Sequence, residues 1–427
     1  MPRSQFRSLW ASVPRPLRLF WIVYIAYTAL AWAVCGWHFL HGDPQAYSSP
    51  FIHKAADPFT DLRTYTARFR LFHTPAFFAP SSDYRLPYFA YPATASLVYW
   101  LFYHLPHTTL MYLALATAWI CALTVGLASV LARQGWPRLA AWSAAVLTAA
   151  LSFPLDFMLE RGNIELVVWM LLFVGLFCWL RGRSSLAAAF LGAAAAIKWV
   201  PIVFCGVLFR RRTLSSFALA VLSVVAITAF ALWFAGPSMV SAFHGFNGTV
   251  SSFQANYSAV VRSEEIGLDH SLFALVKVLG LAAHREISAW LPRYYLLAGS
   301  VALGLFLFRA VHLPILNRLL FLTTMALLLP PTSAAYTLVY LYAPWLLLVL
   351  ASLHMDRAPE IATQYRLSVL LLCFVPLLAP FSLFVVHGQR YGGQVQTVAL
   401  LVLLVLALCW PVSDALWRDA LKLPEHG

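Results

Sequence analysis

Residues 395–410 read VQTVALLVLLVLALCW, and residues 368–386 read SVLLLCFVPLLAPFSLFVV. Neither run alternates apolar and polar side chains, as the strands of a membrane β-barrel do. Long apolar runs are typical of transmembrane helices, because a helix satisfies its own backbone hydrogen bonds in lipid. Hydrophobic residues make up 61% and charged residues 11% of the 427 residues, and similar runs recur along the chain. The sequence therefore predicts an all-α, polytopic membrane protein.

The apolar runs predict a helical bundle of about twelve transmembrane segments in one integral membrane domain, residues 1–427. The predicted spans are residues 19–40, 88–103, 108–131, 139–157, 164–180, 185–209, 214–235, 290–308, 319–329, 337–353, 367–386 and 395–410, with a further short helix at 271–281. The intervening polar stretches predict a first extracytoplasmic loop at 41–87 and a second at 236–270. Lys198 and Pro201 predict a break in one span, because proline ends a helix and a buried ammonium needs a partner.

The chain carries a formal net charge of +13. In a membrane protein, such an excess of basic residues concentrates in cytoplasmic loops and sets the orientation, so the charge gives no reason to expect nucleic acid as a partner. Four arginines precede the first span and predict a retained anchor, a cytoplasmic N-terminus and an outward first loop: Arg3, Arg7, Arg15 and Arg18. All six cysteines lie in apolar runs, so neither disulfides nor a cysteine metal site is expected.

The first outer loop contains the stretch TDLRTYTARFRLFH at residues 60–73. Its leucine and aromatic side chains recur at three- and four-residue steps, which is typical of a helix lying in the membrane interface. Thr60 or Asp61 is expected to cap this helix. Two roles for Asp61 stay open, a structural cap and a general base beside the outer leaflet. Arg63 is a candidate for binding a phosphate group.

Residues 160–165 read ERGNIE between two apolar spans. Arg161 either pairs with a neighbouring glutamate and does nothing more, or it belongs to a polar site. Lys198 lies in an apolar segment with no acid next to it in the sequence. It either extends its ammonium to the membrane surface or meets an anion, such as an incoming phosphate.

The second outer loop supplies Arg262 and His270 as candidate substrate-binding residues, although a solvated loop explains its composition equally well. The sequence holds no pair of histidines in a HExxH pattern and no glycine-rich phosphate loop. No metal ion and no cofactor is therefore expected.

Several stretches together resemble glycosyltransferase family 87. TDLRTYTARFRLFHTPAFFAPSSDYRLPYFAYP (60–92) resembles the family's first outer loop, in which an aspartate opens an interfacial helix. RGN (161–163) and KWVP (198–201) resemble paired stretches of related mannosyltransferases with the C-type fold. RRR (210–212) and HSLFALVKVLG (270–280) resemble later family features.

The resemblance implies a membrane enzyme of the C-type glycosyltransferase fold. It implies transfer of a sugar, with mannose the first expectation, from a polyprenyl-phosphate sugar to a glycolipid or glycan acceptor on the extracytoplasmic face of the cell membrane. Asp61 matches the family's catalytic acid, and Asn163 and Lys198 match its midchain polar positions. Tyr336, in PPTSAAYTLVY (330–340), stands near a position where the family often has a histidine.

A membrane transporter or lipid flippase is the alternative from another class. Such proteins often contain internal repeats and substrate-binding ions near the bilayer midplane. This sequence has no evident repeat, and its acidic residues gather in the outer loops. The distribution of charge favours chemistry at the membrane surface.

Overall fold

The computed structural model describes residues 13–41, 58–79, 89, 91–150, 152–209, 214–258, 266–284, 287–354, 360–380, 385–386 and 389–418. These residues form a bundle of helices, with one antiparallel pair of two-residue strands, β1 (Val385–Val386) and β2 (Gln389–Arg390). The helices are α1 (Arg15–Leu40), α2 (Thr60–Ala67), α3 (Ala95–His104), α4 (Thr108–Arg133), α5 (Arg138–Ala150), α6 (Phe153–Arg161), α7 (Glu165–Leu180), α8 (Ser184–Ile197), α9 (Leu214–Ala235), α10 (Met239–Phe253), α11 (Leu272–Ala282), α12 (Leu291–Phe308), α13 (Ile315–Leu328), α14 (Tyr342–Leu353), α15 (Ile361–Cys373), α16 (Val375–Leu378), α17 (Gly392–Cys409) and α18 (Ala415–Arg418).

Seven helical segments among the described residues are long and apolar enough to cross a membrane. They are Arg15–Trp37, Thr108–Arg133, Leu214–Ala235, Ser288–His312, Ala335–Leu353, Ile361–Leu378 and Gly392–Cys409. Helices α5 and α6 meet at a 52° bend and form an eighth candidate if they are one span. The all-helical, multi-pass prediction is confirmed, whereas the count of about twelve is not.

Four of the other predicted spans form helices that are too short for a straight crossing. Helices α7, α8 and α13 have 16, 14 and 14 residues, whereas a straight crossing takes about 20. The predicted span 88–103 contains only the ten-residue α3. The break predicted in 185–209 is confirmed, because α8 ends before Lys198 and a 3₁₀ segment, Val200–Leu208, follows.

The predicted second outer loop, residues 236–270, is more regular than a polar loop. Its first part forms the fifteen-residue α10, which begins where the Ser238 hydroxyl accepts a hydrogen bond from the Ser241 backbone N–H. Ala242, Phe246 and Thr249 recur at helical spacing and are buried. The predicted short helix at 271–281 is confirmed as α11.

The centre of the bundle is built around helices that are buried on every side. All fourteen residues of α13 are buried, as is typical of a helix surrounded by other helices. Helix α8 is rich in alanine and packs closely against α7 and α9. A side chain at Gly192 would lie 2.8 Å from the Ala220 carbonyl oxygen, so glycine permits this approach of α8 to α9.

Helix α2 begins differently from the prediction. Its N-cap is Phe59, which has a left-handed backbone with φ 62°, and no side chain caps the helix. Neither Thr60 nor Asp61 is the N-cap, so the expectation of a capping role was wrong. The helix continues as a 3₁₀ turn, Arg68–Leu71, and Arg68 is fully buried. Its guanidinium donates to the carbonyl oxygens of residues 76, 77 and 79 at 2.8–3.0 Å, which folds the following segment onto α2.

Candidate functional site

The RGN sequence ends α6 in a Schellman motif. The Gly162 N–H donates to the Leu159 carbonyl at 3.0 Å, and the Asn163 N–H donates to the Met158 carbonyl at 3.3 Å. Gly162 adopts φ 62°, a left-handed conformation in which glycine has no steric penalty. The motif turns the chain sharply, so that Arg161 and Asn163 lie at the end of α6 just before α7 begins.

The start of α2 packs directly on this turn. The Phe59 N–H donates to the carbonyl of Glu160 at 2.7 Å. A Cβ at Gly162 would lie 2.9 Å from the Leu62 Cβ and 3.1 Å from the Phe59 Cα, so only glycine allows this contact. Two backbone features, the turn after α6 and the left-handed residue before α2, thus bring Asp61 beside the RGN sequence.

Asp61 is held by both polar residues of that sequence. Its Oδ1 lies 2.6 Å from Arg161 Nη2, and its Oδ2 accepts a hydrogen bond from Asn163 Nδ2 at 2.5 Å. The Asp61 side chain is 10% exposed and the Arg161 side chain 41% exposed, so the pair lies at the edge of the bundle interior. Of the two readings open for Arg161, this contact agrees with membership of a polar site, since the partner Asp61 is 100 residues away in the chain.

Asn163 is fixed from several sides and is completely buried. Besides Asp61, its Nδ2 donates to the Tyr91 hydroxyl at 2.9 Å, and its Oδ1 accepts from the Glu165 N–H at 2.9 Å. Its backbone carbonyl accepts from the Tyr112 hydroxyl at 3.0 Å. Because every polar atom of the side-chain amide is bonded, Asn163 sets the orientation of the Asp61 carboxylate.

Aromatic rings surround the carboxylate on the α2 side. Tyr65 packs against Tyr91, with ring centroids 4.8 Å apart, and against Tyr99 at 5.1 Å. Burial, with the negative charge of Asp61 as the second cause, raises the pKa of the Tyr65 phenol above its ordinary value. Tyr65 therefore stays a neutral hydroxyl beside Asp61.

Lys198 has a partner that the sequence did not indicate. Its ammonium forms an ion pair with Glu165, which is fully buried at the start of α7 and also accepts a hydrogen bond from the Tyr340 hydroxyl. The ammonium lies 5.0 Å from the centre of the Tyr336 ring, which stacks on Phe157 at 5.9 Å. Lys198 thus lies deep in the bundle, with its side chain only 16% exposed, rather than reaching the membrane surface.

This ion pair is connected to Asp61. Asn163 bonds the Asp61 carboxylate with its Nδ2 and the Glu165 backbone with its Oδ1. The charge of Asp61 also acts on the Lys198 ammonium and on the Tyr336 phenol. Asp61, Arg161, Asn163, Lys198 and Tyr336 are therefore brought together in one polar site.

A second buried polar group lies where the chain before α11 meets the chain before α14. Asp269 Oδ1 accepts hydrogen bonds from the Ser271 and Ser333 N–H groups, each at 2.9 Å. Its Oδ2 lies 3.4 Å from Lys277 Nζ. His270 Nε2 lies 3.0 Å from the Ser333 hydroxyl and 3.2 Å from that of Thr337. This group joins two distant segments of the chain.

The His270 imidazole is neutral at ordinary pH. It is fully buried, and burial, with the positive charge of Lys198 as the second cause, lowers its pKa to about 3 from 6.5. The unfolded chain therefore binds more protons between these two values. The resulting stability is complete above pH 6.5 and is lost progressively as the pH falls toward 3.

We expect the free energy of unfolding to fall by about 2 kcal/mol between pH 7.5 and pH 5 through His270 alone. His270→Gln keeps a polar side chain of similar length but does not titrate, so its unfolding temperature should change less over this range. Thermal denaturation of the purified protein at both pH values measures the difference. The matched control is His244→Gln, at an exposed histidine, which should keep the wild-type dependence. Equal slopes for the wild type and His270→Gln would contradict the prediction.

The other predicted site residues are Arg63, His270 and Arg262, of which His270 lies in the second polar group. Arg63 is exposed on α2. Arg262 and the basic triplet 210–212 lie outside the described residues. In the part of the chain that the structure describes, no group of three His, Cys, Asp or Glu side chains is arranged to hold a metal ion.

Sequence reasoning missed Tyr91, Tyr340 and the partnership of Glu165 with Lys198. Glu165 and Lys198 lie 33 positions apart in the chain, so no local spacing relates them. The available signal was Lys198, an isolated charge in an apolar segment, because such a charge must pair in a membrane protein. The tyrosines gave no comparable signal, since aromatic residues make up 15% of the chain.

A family model described as glycosyltransferase family 87 matches residues 89–331, more than half of the chain. Asn163 and Lys198 lie within the match, whereas Asp61 precedes it and Tyr336 follows it. No curated protein and no solved structure matches the chain significantly. The match favours an enzyme over the alternative of a transporter. Together with the apolar helices that can cross a membrane, it shows that the chain is a multi-pass membrane glycosyltransferase and belongs to glycosyltransferase family 87.

Proposed function

We propose that this enzyme transfers a sugar, with mannose the first candidate, from a polyprenyl-phosphate sugar to a hydroxyl of a glycolipid or glycan. The reaction takes place at the extracytoplasmic face of the cell membrane, and Asp61 is the general base. The observation that carries this proposal is the Asp61 carboxylate, fixed by Arg161 and Asn163 and linked through Asn163 to a buried lysine.

The proposed step needs one base and one cationic subsite. The acceptor oxygen attacks the anomeric carbon, its proton passes to Asp61, and the bond between that carbon and the phosphate oxygen breaks. The phosphate keeps the bonding electrons and leaves as polyprenyl phosphate, with inversion at the sugar. Because phosphate is already a good leaving group, the step requires no strong general acid. Positioning and charge stabilisation supply the remaining catalysis.

The residues around Asp61 suit the orientation of an acceptor. Asn163 sets the direction of the carboxylate, and the tyrosine rings form an apolar wall that also carries hydroxyl groups. Arg161, partly exposed, is available to contact the substrate as well as Asp61. The sequence alone is the basis on which we propose Arg63, His270 and Arg262 as substrate-binding residues.

Lys198 is the proposed contact for the donor phosphate. An ammonium group has three N–H donors, and a single one satisfies Glu165. The Tyr336 ring beneath it stabilises the cation and forms one wall of the same subsite. The sugar would then lie between Lys198 and Asp61, with the polyprenyl chain among the membrane-facing helices.

We expect Lys198→Met to weaken donor binding by about tenfold or more. This loss exceeds the contribution of roughly 1 kcal/mol that is typical of an exposed ion pair. The substitution keeps the side-chain length and removes the charge. Binding of a labelled polyprenyl-phosphate sugar to the purified protein measures the effect. The matched control is Lys277→Met, which removes a second buried, ion-paired lysine, and folded Lys277→Met should bind donor normally. Unchanged donor affinity in folded Lys198→Met would assign the phosphate to another residue.

The experiment that tests the function as a whole uses purified protein and a panel of labelled polyprenyl-phosphate sugars. Each donor is incubated with and without a glycolipid extract, and hydrolysis and transfer are measured. We expect one donor to be consumed in preference to the others, and polyprenyl phosphate to be released. Consumption of nucleotide sugars but of no polyprenyl-linked donor would overturn the donor assignment.

A further inference from the structure

Glu165 is a buried carboxylate immediately beside the proposed phosphate subsite, and the reaction scheme gives it no role. Its position is fixed by three contacts. Lys198 and Tyr340 each bond one carboxylate oxygen, and the backbone N–H donates to Asn163 Oδ1. The residue is 0% exposed. A phosphate that contacts Lys198 therefore shares its cation with a fixed negative charge.

The charge on the phosphate changes during the proposed reaction. The donor is a phosphodiester with one negative charge. The product is a phosphomonoester, which carries up to two negative charges because its second pKa is about 6. A fixed carboxylate repels the product more strongly than the donor, since the interaction energy scales with the ligand's charge.

We propose that Glu165 cancels the preference of Lys198 for a doubly charged phosphate, so that the phosphate subsite does not retain the phosphomonoester product over the phosphodiester donor. The proposal rests on the proposed function, because it takes Lys198 as the phosphate contact. It makes Glu165 a positioning and specificity-determining residue, which holds Lys198 in place and opposes accumulation of the second negative charge.

Among the described contacts of Glu165, no second acid takes over the role of opposing the second negative charge of the phosphate. The direct partners of Glu165 are Lys198 and Tyr340. The charge of Asp61 also acts on Lys198 and on Tyr336, and that of Arg161 acts on Tyr336. Asp61 is paired with Arg161, whereas Glu165 is the carboxylate in direct contact with the Lys198 ammonium.

The test compares two probes with the same lipid chain, farnesyl phosphate and its methyl diester. Their dissociation constants are measured at pH 8 with the full-length protein in nanodiscs. In Glu165→Gln, we expect the diester to bind about tenfold more tightly and the monoester about 100-fold more tightly, because the effect doubles with charge. Tyr340→Phe is the matched control. It removes one hydrogen bond to Glu165 but keeps the charge, so the ratio of the two affinities should stay as in the wild type.

Turnover gives a second expectation for the same variant. In Glu165→Gln, steady-state turnover should fall more than the single-turnover rate, because polyprenyl phosphate leaves slowly. Inhibition by added farnesyl phosphate should also strengthen. A uniform loss of both rates, with no change in this inhibition, would indicate a merely structural role and overturn the proposal.

A measurement on the wild type covers the case in which Glu165→Gln does not fold. As the pH falls from 8 to 5.5, the monoester takes up its second proton while the diester does not titrate. If Glu165 cancels the pull of Lys198 on the second charge, the affinity for the monoester does not fall relative to that for the diester. A relative fall would mean that the site prefers the dianion, and the proposal would be wrong.

The outcomes separate this proposal from the function on which it rests. If Lys198→Met weakens both probes and Glu165→Gln leaves their ratio unchanged, the phosphate subsite stands and the role of Glu165 is overturned. If folded Lys198→Met binds both probes as the wild type does, the phosphate subsite itself is overturned, and the role of Glu165 with it.

Discussion

Asp61→Asn protein is expected to fold, to bind donor with close to wild-type affinity, and to transfer sugar at least about 100-fold more slowly. Asparagine has nearly the same shape as aspartate and still presents one oxygen to Arg161 or Asn163, but it does not accept a proton at neutral pH. Because the carboxylate is not the helix N-cap, the loss would not arise from an uncapped helix. Donor binding and the transfer of label to the acceptor are both measured on the same preparation.

The matched control for Asp61→Asn is Arg161→Gln. That variant removes the ion pair at 2.6 Å but keeps the carboxylate and its bond to Asn163. We expect it to lose about tenfold in transfer, less than Asp61→Asn, because the base remains. If well-folded Asp61→Asn transfers sugar at close to the wild-type rate, Asp61 is not the base. The catalytic group would then be sought in the second outer loop.

Gly162→Ala is expected to abolish transfer and to lower the unfolding temperature sharply. The left-handed backbone costs an alanine about 1–2 kcal/mol. The added Cβ would also lie 2.9 Å from that of Leu62, which forces α2 away from the turn. Since α2 carries Asp61, and the turn carries Arg161 and Asn163, the displacement separates the two halves of the site. Thermal denaturation and a transfer assay measure the two effects.

Gly135→Ala is the matched control for this prediction. Gly135 also has a left-handed backbone, with φ 86°, but no atom lies within 4 Å of the position of its Cβ. Alanine there carries the same backbone strain without the contact. Gly135→Ala should therefore lose a similar small amount of stability and keep its transfer activity. Equal activity in the two variants would show that α2 tolerates the displacement.

The sequence was most informative where a pattern is long or chemically rare. Apolar runs predicted the helical membrane fold, and Pro201 with Lys198 predicted the break after α8. The predicted number of spans is not confirmed, because an apolar run records burial and does not distinguish a central helix such as α13 from a full crossing. A central helix and a full crossing differ in the length of the folded helix, which breaks and turns in the chain determine.

The candidate site was predicted as a set of residues but not as an arrangement. Asp61, Arg161, Asn163 and Lys198 were each selected from their own stretch of sequence. Their pairing was not predictable, because it depends on contacts between residues up to 102 positions apart. The capping role expected for Asp61 failed for a related reason. The left-handed backbone at Phe59 starts the helix in place of a side chain, and a large apolar residue gives no sign of such a conformation.

The hairpin of α7 and α8 places opposite helix ends side by side at the site. Glu165 is the first residue of α7, and Lys198 follows the last residue of α8. The partial positive charge at the start of a helix favours an anion, and the partial negative charge at its end favours a cation, each by about 0.3–1 kcal/mol. Both helix dipoles therefore favour the acid at Glu165 and the base at Lys198. Exchanging the acid and the base would preserve their mutual attraction but oppose both helix dipoles. The direction in which the chain runs through this hairpin therefore determines which residue is the cation of the proposed phosphate subsite.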